Sequence, residues 1–232
     1  MLPPLLQDQL ALYPQLGLAY YPVSAKIKEV YNEDYFDRYQ EYETKFSCAE
    51  ITNKLNSFRV DLVNKYTRDC VLDVGVGAGT FIQQRGTISL KPCPTMGYDI
   101  NPKGIKWLKD RGFYIDPYES GSCSFNAISL WDVIEHIPDP SLLISKIKPG
   151  GYLFISTPIY SDISIETITK SKHYRTDEHC WYPTRKGLRN LINMKSSLEW
   201  KILEHSRMEV ELGRDEIETF VFQKTNERNN VV

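Results

Sequence analysis

Asp132-x-x-Glu135-His136 gathers three proton-accepting or cation-holding side chains in one short segment, and Asp177-Glu178-His179 brings another imidazole from a later loop. At a strand end that enters a loop or helix, the D-x-x-E-H spacing lets oxygen and nitrogen donors converge, with His179 as a fourth member. One chemistry open to such a group is general base catalysis, with His136 or His179 taking the proton and Glu135 beside them. The other is a divalent metal site with Asp132, Glu135, His136 and His179 as ligands. Mixed carboxylate and imidazole donors accommodate Mg²⁺ or Mn²⁺ and would also suit Zn²⁺. The bland alternative stays open too: His136 as a helix-entry residue bonded to backbone, His173 as an ordinary loop residue. His205 falls in a predicted strand and reads as structural.

A second group lies upstream, in Val71-Leu72-Asp73-Val74-Gly75-Val76-Gly77-Ala78-Gly79-Thr80. Glycines at a strand-to-helix turn let the backbone approach a ligand where a Cβ would collide. Asp99 closes the following strand, where an acid can accept hydrogen bonds from both ribose hydroxyls of a nucleoside cofactor. The spacing is G-x-G-x-G rather than the G-x-x-G ending of dinucleotide enzymes, which argues against a nicotinamide oxidoreductase. A tight connection beside an unrelated strand-terminal Asp is the competing account.

The elements that must position these residues alternate. Continuous apolar runs at Cys70–Val76, Thr95–Ile100, Asn126–Val133 and Gly151–Thr157 suit strands buried on both faces, with a weaker one at Gly112–Asp116. Helices are predicted from Ala78, from Pro102 to about Asp110, near Pro140–Lys146 and near Thr184–Asn193. Two late strands, near Trp200–Arg207 and Glu216–Gln223, lack an intervening helix and suggest an antiparallel hairpin at the sheet edge. The fold class expected is therefore α/β, with a mostly parallel, doubly wound sheet. Residues 1–66 read as an amino-terminal arm and helical cap, with helices over 33–45 and 48–66. Residues 67–225 form the main domain, and 226–232 a mobile tail. Residues 159–183 read as an irregular insertion suited to a lid or substrate wall. Its aromatics, with Tyr31, Tyr35, Tyr39 and Tyr42 of the cap, could pack a planar acceptor, although a Tyr stripe also serves simply to dock a helix.

Composition narrows the class without naming a function. The 232 residues are 41% hydrophobic and 25% charged, an ordinary globular balance that excludes disorder, collagen-like repeats and coiled coil. A net charge of −2 provides no global field for nucleic acid or membrane. Only Lys170, Lys172, Arg175, Arg185, Lys186 and Arg189 form a local basic stretch. Five scattered cysteines without a C-x-x-C favour free thiols in a reducing compartment, hence a cytoplasmic location. The prolines and polar residues of the first 22 positions argue against a signal peptide or membrane span.

With VLDVGVGAG, the chain resembles the class I S-adenosyl-L-methionine (SAM)-dependent methyltransferases. The likeness continues in Leu130-Trp131-Asp132-Val133-Ile134-Glu135-His136-Ile137-Pro138-Asp139-Pro140 and in Lys148-Pro149-Gly150-Gly151, over residues 69–158. It is closest to the quinone-biosynthesis O-methyltransferase-like branch. The resemblance implies a Rossmann-like seven-stranded sheet of order 3-2-1-4-5-7-6 flanked by helices. It implies SAM as cofactor, with Gly75, Gly77 and Gly79 lining it, Asp99 on the ribose, Asp73 organising the amino-acid end, and Ile100, Trp131 and Asp132 alongside. A similar E-x-x-E-H with a distant His holds a metal in small-RNA 2′-O-methyltransferases; here Asp132 replaces the first Glu. The function expected is methyl transfer to a small molecule, most often at a hydroxyl oxygen. Alternatives are an RNA or sugar hydroxyl as acceptor, or a SAM-binding protein without activity.

Overall fold

Val71–Val74 (β3) is buried at all four positions, as an apolar run without alternation requires when both faces of a sheet are covered. A computed structural model describes residues 9–22, 33–44, 46–88, 95–119, 121 and 124–228. Within it β3 lies between β4 (Thr95–Tyr98) and β5 (Phe125–Trp131), parallel to both, and β6 (Ile147–Pro158) runs parallel on the far side of β5. The last two strands, β8 (Leu198–Ser206) and β9 (Ile217–Arg228), are antiparallel, and β9 pairs antiparallel with β6. The sheet order is β4-β3-β5-β6-β9-β8.

This is the expected order with one strand fewer. Residues 112–116 contribute a single parallel bridge, Tyr114 to Gly97, so the sheet has six strands rather than seven. The segment is bracketed by the left-handed turn at Gly112 (φ +69°) and by Asp116, whose carboxylate accepts the Tyr118 amide. These turns leave no length for a longer ladder.

Side chains of β5 alternate with period two. Ala127 and Trp131 face α2 (Phe46–Tyr66), α3 (Thr80–Ile88) and α4 (Pro102–Asp110), meeting Val60, Val63, Phe81, Trp107 and Leu108. Ile128 and Leu130 face α5 (Ser141–Ser145) and α7 (Arg185–Met194), meeting Leu143, Ile144, Leu188 and Leu191. Pro102 opens α4 behind Asn101, whose side chain accepts the Lys103 and Gly104 amides. The cap helices begin and end close to expectation, as α1 (Glu33–Thr44) and α2.

Three further regions differ from the sequence reading: a short helix, α8 (Met208–Glu211), stands between β8 and β9 where none is expected. The arm contains an antiparallel hairpin, β1 (Ala11–Tyr13) and β2 (Leu18–Tyr20), and β2 pairs with β7 (Trp181–Pro183) in the presumed irregular insertion, which also holds α6 (Ile165–Lys170). The result is a second, three-stranded sheet over its own core of Ala19, Tyr160, Ile163, Ile168 and Tyr182. Its partners lie some 160 residues apart in the chain, beyond any local pattern. The tail also differs: β9 continues to Arg228, and only 229–232 of the expected mobile segment lie outside the described residues, as does Tyr31 of the Tyr stripe. Among the described residues no helix is long and apolar enough to cross a membrane.

Candidate active site

The carboxyl ends of β3, β4, β5 and β6 converge on one rim, where ligands of open α/β sheets bind. After β3 the chain turns through Gly75, Gly77 and Gly79 at φ +74°, +54° and +78°. A Cβ on Gly75 would stand 2.4 Å from Val133 Cγ2, and one on Gly79 2.4 Å from the Trp107 ring. The loop therefore needs glycine both for its backbone and for its fit against Val133, just past β5, and against α4. Asn56 of α2 donates to Thr80 Oγ1 (2.9 Å), bracing the helix that follows.

Asp99 follows β4. Burial raises its carboxyl, opposed by amide hydrogen bonds from Asn101 (2.8 Å), Gly77, Ile100 and Val76, so this acid is wired to the glycine loop. Ile100 beside it is 51% exposed. Asp73, inside β3, is buried and pushed up to about 7 by that burial, with Ser129 Oγ donating to it at 2.7 Å.

Trp131 and Asp132 end β5. The indole packs edge-on to Phe81 and beneath the Arg59 guanidinium (4.9 Å), and its Nε1 is buried without a protein acceptor. Asp132 holds the left-handed conformation at φ +59°, rare for a residue with a side chain. Its Oδ2 receives Arg59 Nη2 (3.1 Å) and Arg214 Nη1 (2.9 Å), while Oδ1 is buried without a partner. Burial alone would raise this carboxyl, but Arg214 and Arg59 outweigh it and hold it below the usual carboxylate range.

Arg59 also donates from Nε and Nη2 to Glu209 (3.0–3.1 Å) and from Nη2 to Ser156 Oγ (3.1 Å). Glu209, on the short α8 (Met208–Glu211), is wholly buried and also bound by Arg214 and by Thr219 Oγ1 (3.1 Å). Sequence reasoning missed Arg59, Glu209 and Arg214. A signal existed for Arg59: it interrupts the apolar stripe of Leu55, Leu62 and Val63, where a cation must find buried partners.

Beyond Asp132, a 3₁₀ turn over Ile134–His136 presents Glu135 and His136 toward His179. One ligand atom from each of Glu135, His136 and His179 lies within 4.8 Å of the others, and the two imidazoles meet edge to face at 4.6 Å. Asp132 stands outside this group, held by the arginines; the shorter side chain and the left-handed turn direct it to Arg59 and Arg214 instead. His136 Nδ1 bonds the Glu178 carbonyl (3.0 Å) and His179 Nδ1 the His173 carbonyl (2.9 Å). A carbonyl only accepts, so each Nδ1 carries the proton and each Nε2 the lone pair. Burial lowers both imidazoles, that of His179 to about 3 with help from neighbouring His136. Burial and the nearby Asp132 charge raise Glu135 to about 8, and Thr157 Oγ1 donates to it at 3.0 Å.

His173 turns away, its Nε2 on the Asp215 carbonyl (2.9 Å), and His205 pairs with Glu218 (2.6 Å) in the edge hairpin. The basic stretch is largely neutralised: Lys170, Lys172, Arg175 and Arg185 pair with Glu166, Asp215, Glu178 and Glu218.

Residues 34–194 match the family described as methyltransferase domain. Ubiquinone biosynthesis O-methyltransferase of Xanthomonas axonopodis pv. citri (strain 306) is 29% identical over 123 residues, 44% of this chain and 50% of that protein. The chain thus spans about half the length of the curated relatives it matches. Among solved structures, a SAM dependent methyltransferase from Archaeoglobus fulgidus superposes with a TM-score of 0.52 at 17% identity, over 82% of this chain and 99% of that one. N-methyltransferase NodS from Bradyrhizobium japonicum WM9, in complex with S-adenosyl-L-homocysteine (SAH), gives 0.52 at 12% identity, over 83% and 97%. At these identities the structural likeness is one of fold.

Proposed function

Because the chain belongs to the class I SAM-dependent methyltransferase family, we propose that it transfers a methyl group from SAM to a hydroxyl oxygen of a small molecule. The observation carrying this reading is two chemistries on one rim: a left-handed glycine loop wired to Asp99, and the Glu135–His136–His179 group on the turn that follows Val133, which packs on Gly75. The O-methyltransferase names of the curated relatives support oxygen as the acceptor atom.

The residues present fit the cofactor. Trp131 Nε1 is a buried donor without an acceptor, and Asp132 Oδ1 is a buried acceptor without a donor. An adjacent orphan pair of this kind complements the carboxylate and ammonium of an amino acid, here the methionine end. Gly75, Gly77 and Gly79 let the loop backbone come close, Asp99 takes the ribose hydroxyls, and Ile100 offers an exposed apolar side chain to the base. Asp73, with Ser129, supports the loop from beneath. When bound, SAM supplies a methyl group on a positively charged sulfur.

The chain's part in the reaction is to align and deprotonate the acceptor hydroxyl. His136 takes that proton at Nε2. Its Nδ1–H bond to the Glu178 carbonyl fixes the tautomer, and burial keeps the ring neutral near pH 7. Glu135, raised to about 8, is protonated at that pH and adds no competing charge. A second reading is favoured by one observation: both imidazoles present Nε2 lone pairs beside a carboxyl group, a donor set that would hold Mg²⁺ or Mn²⁺ and make a bound hydroxyl more acidic. The ion pairs within the basic stretch favour a small acceptor over RNA.

Calorimetry with SAH tests the assignment. The wild type should bind and Asp99→Ala should lose most of the affinity; equal affinity of the two rejects the site. Titrating Mg²⁺ and Mn²⁺ into the SAH-loaded protein separates the base from the metal reading, since absence of binding at millimolar ion rejects the metal. Mass spectrometry of a cell extract incubated with labelled SAM and the protein identifies the acceptor.

A further inference from the structure

Four charged side chains from distant parts of the chain meet behind the end of β5: Arg59, Asp132, Glu209 and Arg214. Gathering two cations and two anions around a wholly buried Glu209 offers little stability over apolar packing of the same volume. What the cluster does supply is orientation of its members. Glu209 is its inner member, wholly buried, and it touches both guanidiniums. Those same guanidiniums are the partners of Asp132 Oδ2.

Asp132 has reason to need an anchor. A residue with a Cβ at φ +59° stores strain that surrounding contacts must hold. Its amide bonds the Ser156 carbonyl (2.9 Å), and Arg59 reaches Ser156 Oγ as well. The turn at Asp132 has two consequences. The next residue, Val133, packs onto Gly75 so closely that no Cβ fits between them. The residues after it form the 3₁₀ turn that carries Glu135 and His136.

We propose that Glu209 is a positioning residue for the cofactor loop: by clamping Arg59 and Arg214 it holds Asp132 in its left-handed turn, and thereby seats Val133 against Gly75. Resting on the methyltransferase reading, this assigns a role in the site to the segment between the last two strands, far from the sequence motifs. It also joins cap helix α2 to the site through Arg59, so that cap and domain set the loop together.

The test is SAH binding by calorimetry on the full chain, with near-ultraviolet circular dichroism reporting the fold. Glu209→Gln should weaken SAH by about tenfold, as for a member of a buried charged network. Asp132→Asn and the double variant complete a cycle. Glu209 and Asp132 share two arginines, so the double variant should bind SAH no more weakly than the worse single variant. Multiplicative effects, or unchanged affinity in Glu209→Gln, overturn the proposal, because a residue that only stabilises the fold gives independent losses. If Glu209→Gln does not fold, Glu209→Gln/Arg214→Gln removes one charge of each sign. A tenfold loss there upholds the clamp, and affinity within twofold of wild type overturns it. Failure of the wild type to bind SAH rejects the methyltransferase reading and the clamp with it, whereas wild-type binding with an unaffected variant rejects the clamp alone.

Discussion

Replacing Gly75 by alanine separates two costs that the glycine loop avoids. The first is conformational: at φ +74° a residue with a Cβ is disfavoured by about 1–2 kcal/mol. The second is steric, because the new Cβ would lie 2.4 Å from Val133 Cγ2. Valine is stiff about χ1 and cannot swing that methyl away, so the clash adds about 1–3 kcal/mol. Gly75→Ala should therefore destabilise by about 2–5 kcal/mol. Gly112 isolates the first cost: it has nearly the same conformation, φ +69°, with nothing within 4 Å of an added Cβ. Gly112→Ala should cost only about 1–2 kcal/mol. Urea denaturation of both variants measures the difference, which in thermal melts is about 2–4 °C per kcal/mol for a chain of this size. Val133→Ala introduced into Gly75→Ala removes the colliding methyl, so the double variant should recover the steric part and keep the conformational part. Equal destabilisation of Gly75→Ala and Gly112→Ala, or no recovery with Val133→Ala, refutes the account of why the loop requires glycine.

Asp73 governs a pH dependence. Its carboxyl is raised by burial to about 7, so it favours the native state while protonated. That contribution is complete below the unfolded value, about 3.9, and is lost as pH rises toward 7. Between pH 5 and pH 8 the loss amounts to about 3 kcal/mol. Asp73→Asn should flatten the fall in stability over that range, and an unchanged slope in chemical denaturation contradicts the assigned cause. At the second sheet, a Cβ on Gly187 would lie 1.7 Å from the Gly17 carbonyl oxygen. Gly187→Ala should separate the β1–β2 hairpin from α7 and expose residues 9–22 to limited proteolysis; wild-type resistance would refute that interlock.

The glycine loop, Asp99, the parallel strands and the order of the sheet were readable because each leaves a local mark. A buried parallel strand needs consecutive apolar residues, and a loop with positive φ needs glycine. The sequence also pairs Glu135 and His136 by spacing, but only the fold brings His179 within 4.8 Å of them. Asp132 shows where local reading stops: the D-x-x-E-H spacing places it with the histidines, but two arginines claim it. Those arginines, with Glu209, lie 73, 82 and 77 positions from it along the chain or across it, without any shared pattern in the sequence. The pairing of β2 with β7 was hidden for the same reason, because three-residue strands carry almost no periodic signal. Sequence alone thus determined the parallel strands and the glycine turn after β3, where backbone geometry dictates residue type over a few consecutive positions. The tertiary structure decided which charges neutralise one another and which remain for a ligand, because electrostatic pairing depends on distance in space and leaves no trace in spacing along the chain.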